Sequence, residues 1–184
     1  FMIIMCQVFD VTQGTRFYQH RSGGYDFFAA TDGSLAFVTG DFKENVTDDV
    51  SSLPPTQLYQ LEGWVRDTYH AKYSYKGLLE GYFYDRRGRQ TREMRQIQKL
   101  LKQEAIDMEK RKEDEIMYPK CNSKRAKGIN IVWCKDHMVP RKRSVYGGTE
   151  RCACIKDADT ADADPVHNVP YLNCPRTNST CPRS

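Results

Sequence analysis

The sequence predicts an α+β protein in three zones. A mixed, aromatic-rich domain covers 1–85, a charged helix covers 86–118, and a cysteine-rich, disulfide-stapled extension covers 119–184. Three observations carry this. Short apolar runs and helical periodicities alternate through the first zone. The second zone is charged on nearly every turn. Six of the seven cysteines fall in the last 64 residues.

Taken in order, Ile3 to Val11 reads as a buried strand, closed by Gln13-Gly14. A turn follows at Ser22-Gly23-Gly24, and Tyr25 to Ala30 reads as a short helix with Phe27 and Phe28 available for burial. Ala36 to Thr39 is a short strand or helix end, stopped at Gly40-Asp41. Ser51-Ser52-Leu53-Pro54-Pro55 signals helix entry, because proline is tolerated in a first turn. Leu58, Leu61, Trp64 and Val65 recur at helical spacing and predict an amphipathic helix to about Tyr69. Leu78 to Tyr84 reads as a closing strand.

The second zone predicts a helix over 89–117. Met94, Ile97, Leu101, Ala105 and Met108 form an apolar stripe, and the run Lys110 to Glu115 beyond it is polar all round. The stripe is too short for a coiled coil, so the helix is expected to lie on its own domain and then extend into water. Tyr118-Pro119 ends it. In the third zone only Ile129 to Trp133 resembles a strand. Residues 157–165 read as a flexible acidic loop, and Arg141-Lys142-Arg143 as a solvated basic triplet.

Charge excludes some functions. The chain carries 28 Lys/Arg against 24 Asp/Glu, but the first 85 residues hold 6 against 11. That acidic front argues against nucleic-acid binding. No stretch approaches the roughly 20 apolar residues needed to span a bilayer. No serine or cysteine sits in a recognisable nucleophile setting, so an enzyme is not expected. The chain opens abruptly at Phe1 and reads as a fragment or processed form, with any targeting signal lost upstream.

Crowded cysteines in a polar region indicate a disulfide framework and an oxidising compartment. The candidates are Cys121, Cys134, Cys152, Cys154, Cys174 and Cys181; their pairing is not fixed by sequence, although Cys152 and Cys154 are expected to bond elsewhere rather than to each other. Zinc on Cys134, His137, Cys152 and Cys154 ranks lower, because paired Cys-x-x-Cys spacing is missing. Cys6 reads as a small core residue. Sequons at Asn45 and Asn178 are glycosylation candidates.

The motifs Val8-Phe9-Asp10-Val11-Thr12-Gln13-Gly14, Phe17-Tyr18, Gly23-Gly24-Tyr25-Asp26-Phe27-Phe28-Ala29, Asp32-Gly33-Ser34, Asp48-Asp49-Val50-Ser51-Ser52-Leu53 and Ala71-Lys72-Tyr73 occur in order over roughly residues 2–85. This pattern resembles the membrane-associated progesterone receptor family, whose domain is cytochrome b5-like and binds haem or steroid. The tail motifs Cys121-Asn122, Val132-Trp133-Cys134, Val139-Pro140-Arg141, Arg151-Cys152-Ala153-Cys154-Ile155, Asn173-Cys174-Pro175 and Thr180-Cys181 resemble the secreted branch of that family. In that branch a cysteine-bearing extension follows the haem domain. Against the family pattern, a first strand and helix are expected upstream of Ile3. The chain also departs at Ala30-Thr31-Asp32-Gly33, where Gly-Arg-Asp-Ala is usual.

The resemblance implies haem as cofactor, with Tyr25 as the axial ligand of its iron and Tyr18, Lys72 and Tyr73 lining the pocket. A free tyrosine has a pKa of about 10. Ferric iron and a nearby ammonium, for which Lys72 is the candidate, both favour the phenolate. On the residues alone Tyr18 and Tyr73 serve equally as packing side chains, and Lys72 as a surface lysine. Gly23 and Gly24 would let the backbone approach a flat macrocycle.

The resemblance also implies a secreted or endomembrane-lumenal, non-enzymatic signalling protein that promotes neuronal differentiation, with an extracellular or membrane protein partner. Two other readings stay open: a cytochrome b5-type electron carrier, and a haem-free extracellular interaction module. His20-Arg21-Ser22-Gly23-Gly24 echoes a haem-ligating histidine motif. The next histidine is His70, so a histidine pair on one iron is not expected.

Overall fold

The computed structural model describes residues 1–14, 18, 28, 30–42, 44, 46–126 and 128–183. The chain divides into two compact units, Phe1–Ala105 and Ile106–Ser184.

The first unit is a small antiparallel sheet covered by helices. Strand β1 (Met2–Ile4) and β2 (Gln7–Asp10) form a hairpin, with Met2 opposite Phe9 and Ile4 opposite Gln7. One continuous strand was expected here. Met5 and Cys6 instead turn the chain at φ of 50° and 55°. Two consecutive positive φ values make the tight turn whose twist suits adjoining strands. Neither residue is a usual turn former, so the turn is held from outside. The Met5 N–H donates to Ser34 Oγ and the Cys6 N–H to Asp32 Oδ2, each at 2.6 Å.

Helix α1 (Ser34–Thr39) ends at Gly40, which is left-handed at φ 76°. Helix α2 (Pro55–Trp64) starts with proline in its first turn, where a missing N–H is harmless. It loosens into a π turn at Val65–Tyr69 and runs on through His70–Lys72, three residues past the expected end. Leu58, Leu61 and Val65 are buried, but Trp64 is 51% exposed. Strand β3 (Ser74–Leu78) then pairs with β2, Phe9 opposite Tyr75. The closing strand therefore lies earlier than Leu78–Tyr84. Phe83 is instead a fully buried residue of the following bends.

Helix α3 (Arg92–Met117) belongs to both units. Thr91 Oγ1 accepts from the Met94 N–H and donates to the Tyr82 carbonyl, fixing its start. Met94 and Ile97 join the first core.

The second unit holds two three-stranded antiparallel sheets, more strand than expected. One orders β4 (Asn122–Ala126), β5 (Ile129–Trp133) and β9 (Thr180–Arg183); the other orders β7 (Arg151–Ile155), β6 (Val139–Arg143) and β8 (Asn168–Val169). The basic triplet is the end of β6, not a solvated loop, with Arg141 and Arg143 buried. Nor does α3 end in water. Asp114 is buried and takes Arg143 Nε at 2.9 Å and Arg151 Nη2 at 2.7 Å. A buried carboxylate between two guanidiniums is satisfied where an unpaired charge of any of the three would not be. The acidic stretch 157–165 forms helix α4 (Ala158–Asp162), capped by the Asp157 carboxylate on the Thr160 N–H.

Candidate functional site

Strand β2 leads directly into a 3₁₀ turn, Thr12–Gly14. Asp10 fixes it, accepting from the Thr12 N–H at 3.1 Å and from the Thr12 hydroxyl. Those bonds hold the Asp10 carboxyl below its ordinary range. Gly14 follows with its N–H on the Val11 carbonyl. A Cβ at Gly14 would lie 3.2 Å from Tyr73 Oη and 3.3 Å from the Tyr18 ring, so the missing side chain lets both tyrosines close on the turn.

The second wall comes from α2 and its π turn. The His70 N–H reaches back to the Val65 carbonyl. Tyr69 is buried, with Phe9 and Phe37 at ring-centroid distances of 5.5 and 5.9 Å. Its hydroxyl lies 3.2 Å from that of Tyr18, and its ring lies 5.6 Å from that of Tyr73. Tyr18 and Tyr73 meet edge to face at 6.3 Å. Trp64 continues the aromatic face, edge-on to Phe37 at 5.5 Å.

Beside this cluster lies a cleft of about 340 Å³ whose lining includes Asp10, Thr12, Gln13, Lys72 and Tyr73. The lining is mostly polar, with a carboxylate, an ammonium and hydroxyls, and Tyr73 joins it to the tyrosine cluster alongside. The arrangement suits a ligand that lays a flat ring on the tyrosines and turns polar or charged edges to the cleft. Tyr18, Lys72 and Tyr73 are thus brought into one neighbourhood. Tyr25 lies outside the described residues, as do Phe17, His20, Gly23, Gly24 and Phe27. Sequence reasoning missed Tyr69 and the spacing role of Gly14. The signal for Tyr69 was its place four residues after Val65, continuing the stripe of Leu58, Leu61 and Val65.

His70, the other histidine weighed for iron, is otherwise engaged. Its Nε2 lies 2.8 Å from Gln7 Oε1, and its ring packs against Phe9 and Tyr75.

The departure at residues 30–33 has a physical reading. Ala30 is left-handed at φ 59°, a conformation that favours glycine. At Gly33, a Cβ would fall 2.3 Å from the Phe28 ring, which fills the space an alanine needs. Asp32 takes three donors, the Cys6 N–H, the Ser34 N–H and the Ser34 hydroxyl, while burial pushes its carboxyl up.

In the second unit the disulfides are Cys121–Cys152, Cys134–Cys154 and Cys174–Cys181. They occupy the sulfurs that a zinc site on Cys134, Cys152 and Cys154 would use, and His137 is exposed. Cys6 is free and buried. Asn178 is exposed in the turn before β9; Asn45 lies outside the described residues. Among the described residues no helix is long and apolar enough to cross a membrane.

No family profile and no solved structure matches the chain. Curated proteins do. Neuferricin of Xenopus tropicalis is 34% identical over 168 residues, 85% of this chain. Neuferricin of Danio rerio is 32% identical over 98% of this chain and 72% of its own length. The chain belongs to the neuferricin family. Membrane-associated progesterone-binding protein 4 of Arabidopsis thaliana is 33% identical over 97% of the chain. The likeness to neuferricins runs through both units, so the cysteine-rich extension is part of what defines the match. The chain spans 61% of the Xenopus tropicalis neuferricin.

Proposed function

We propose that the chain is a non-enzymatic haem-binding protein with a cytochrome b5-like first unit, working outside the cell or in an endomembrane lumen. Tyr25 is its axial iron ligand. The observation that carries this reading is the meeting of Tyr18 with Tyr73 against Gly14, beside the cleft that Lys72 lines. When bound, haem supplies a ferric centre, and tyrosine is an established ligand type for it. Of the chain's own groups, Tyr25 gives the oxygen and Lys72 the positive charge that favours its phenolate. The Tyr69 hydroxyl holds that of Tyr18. Gly14 keeps the two outer tyrosines close.

The three disulfides support the oxidising compartment. Glycosylation at Asn178 and Asn45 fits it. Extracellular signalling toward neuronal differentiation, through a protein partner, is the role that the family resemblance of the sequence implies, and it is part of this proposal. The electron-carrier reading is weaker, because the Nε2 of His70 is taken by Gln7.

The test is thermal. A ligand that binds only the folded state adds about 2.7 kcal/mol at a hundredfold excess over Kd. Hemin is expected to raise Tm, and Tyr25→Phe to abolish the gain. An equal rise in both proteins contradicts the ligand. A rise with progesterone and none with hemin assigns the cleft to a steroid instead, as the name of the Arabidopsis thaliana relative has it for that protein.

A further inference from the structure

We propose that Cys121, Cys134, Cys152 and Cys154 form a thiol–disulfide exchange site. It takes two electrons from a dithiol and then moves its remaining bond, leaving Cys121 joined to Cys134 with Cys152 and Cys154 free.

The four sulfurs form one cluster within the second unit. Cys121 is bonded to Cys152 and Cys134 to Cys154, yet the Sγ atoms of Cys121 and Cys134 are only 3.9 Å apart. The Sγ atoms of Cys121, Cys134 and Cys154 all lie within 4.8 Å of one another. Strand register explains why. Asn122 pairs with Trp133, so the next position outward sets Cys121 opposite Cys134. Directly opposed residues of an antiparallel ladder stand roughly 4.5–5.5 Å apart at Cα. That lies inside the span a disulfide requires. The alternative pairing therefore needs side-chain rotation and no strand movement.

The two bonds differ in access. Cys121 and Cys152 are partly exposed, whereas Cys134 and Cys154 are 6% and 5% exposed. A dithiol in solution meets the first bond before the second. Opening it does not release the backbone. The Cys154 N–H stays on the Pro119 carbonyl at 2.8 Å, the Cys134 N–H on Ser179 at 3.0 Å and the Cys121 N–H on Cys152 at 3.3 Å.

The chemistry balances in two stages. A thiolate of the dithiol attacks Cys152 Sγ and expels the Cys121 thiolate. The second thiol of the reagent closes its own disulfide and expels Cys152. Two electrons and two protons have then passed to the protein. Next the Cys121 thiolate attacks Cys134 Sγ, the Cys134–Cys154 bond breaks, and Cys154 leaves and is protonated. This second stage transfers no net electrons. Its product is a free Cys152-Ala153-Cys154 dithiol on β7, whose two side chains share one face.

The experiment uses the full chain carrying Cys174→Ser and Cys181→Ser, so that the third disulfide consumes no reagent. One equivalent of dithiothreitol is added, the mixture is acid-quenched, and thiols are alkylated and mapped by mass spectrometry. Beside the label that free Cys6 takes once the protein is unfolded, the proposal expects two labels on the quartet, on Cys152 and Cys154, and a peptide linked through Cys121 and Cys134. Labels on Cys121 and Cys152, with Cys134–Cys154 intact, overturn it. A quartet left wholly unlabelled overturns it as well. A second variant needs no reductant. In Cys154→Ser the freed Cys134 faces Cys121 at exchange distance, so label is expected to divide between Cys134 and Cys152. Label confined to Cys134 contradicts the proposal.

Discussion

Gly14 lies against Tyr73 so closely that a Cβ would stand 3.2 Å from the phenol oxygen. The same Cβ would stand 3.3 Å from the Tyr18 ring, so one residue spaces both side chains. Gly14→Ala forces the two rings apart by a few tenths of an ångström. The expected stability loss is about 1 kcal/mol, at the low end for overpacking. The expected loss of hemin affinity is larger than that stability loss alone would give. Urea unfolding and hemin titration measure the two effects separately.

Asp114 is the keystone of the second unit. Burial pushes its carboxyl up, but Arg143 and Arg151 outweigh burial and hold it below the ordinary carboxylate value. Asp114→Ala leaves two guanidiniums without their anion and is expected to destabilise by about 3–5 kcal/mol. The pH dependence follows from the sign of the shift. A carboxyl whose folded pKa is depressed contributes stability above its unfolded pKa of about 4, and that contribution is lost as pH falls through the folded value. Trp133 fluorescence in a Trp64→Phe background, followed from pH 7 downward, is expected to lose its native signal only in that acid range.

Ala30 pays for a left-handed backbone, with its N–H on the Phe1 carbonyl at 3.1 Å. That conformation disfavours a Cβ by roughly 1–2 kcal/mol. Glycine gives part of this back through greater unfolded-state freedom, of about 0.4–1 kcal/mol. Ala30→Gly is therefore expected to raise stability by about 0.5–1 kcal/mol, read from the urea midpoint.

The Cys6 thiol is fully buried, and burial pushes its pKa up to about 12. It stays protonated at neutral pH and out of reach of reagents. Native protein is expected to show no reaction with a maleimide at Cys6, and unfolded protein one rapid equivalent there. Fast labelling of the native chain contradicts the buried hairpin turn.

Much of this was legible in residue pattern. The apolar stripe of α3, the proline-led start of α2 and the cysteine crowding each reflect one local rule, and local rules survive folding. Other features failed for reasons of tertiary context. The Met5-Cys6 turn carries no turn chemistry of its own, because Asp32 and Ser34 supply its hydrogen bonds from 26 and 29 residues away. Arg141 and Arg143 read as solvated because arginine usually is, yet Asp114 and Asn168 neutralise or bond Arg143 inside the unit. At the candidate site, Tyr18, Lys72 and Tyr73 were named through motif resemblance alone, and the fold sets Tyr18 against Tyr73 and Lys72 beside Tyr73 on the cleft. Tyr69 was not, since a buried tyrosine in an amphipathic helix reads as ordinary core.

The central claim is tested most directly by an absorption titration with hemin on the unaltered chain and on Tyr25→Phe. The account predicts a saturable one-to-one complex whose spectrum carries a phenolate-to-iron charge-transfer band, and loss of that band in the variant. The same spectrum and affinity in both proteins would contradict it.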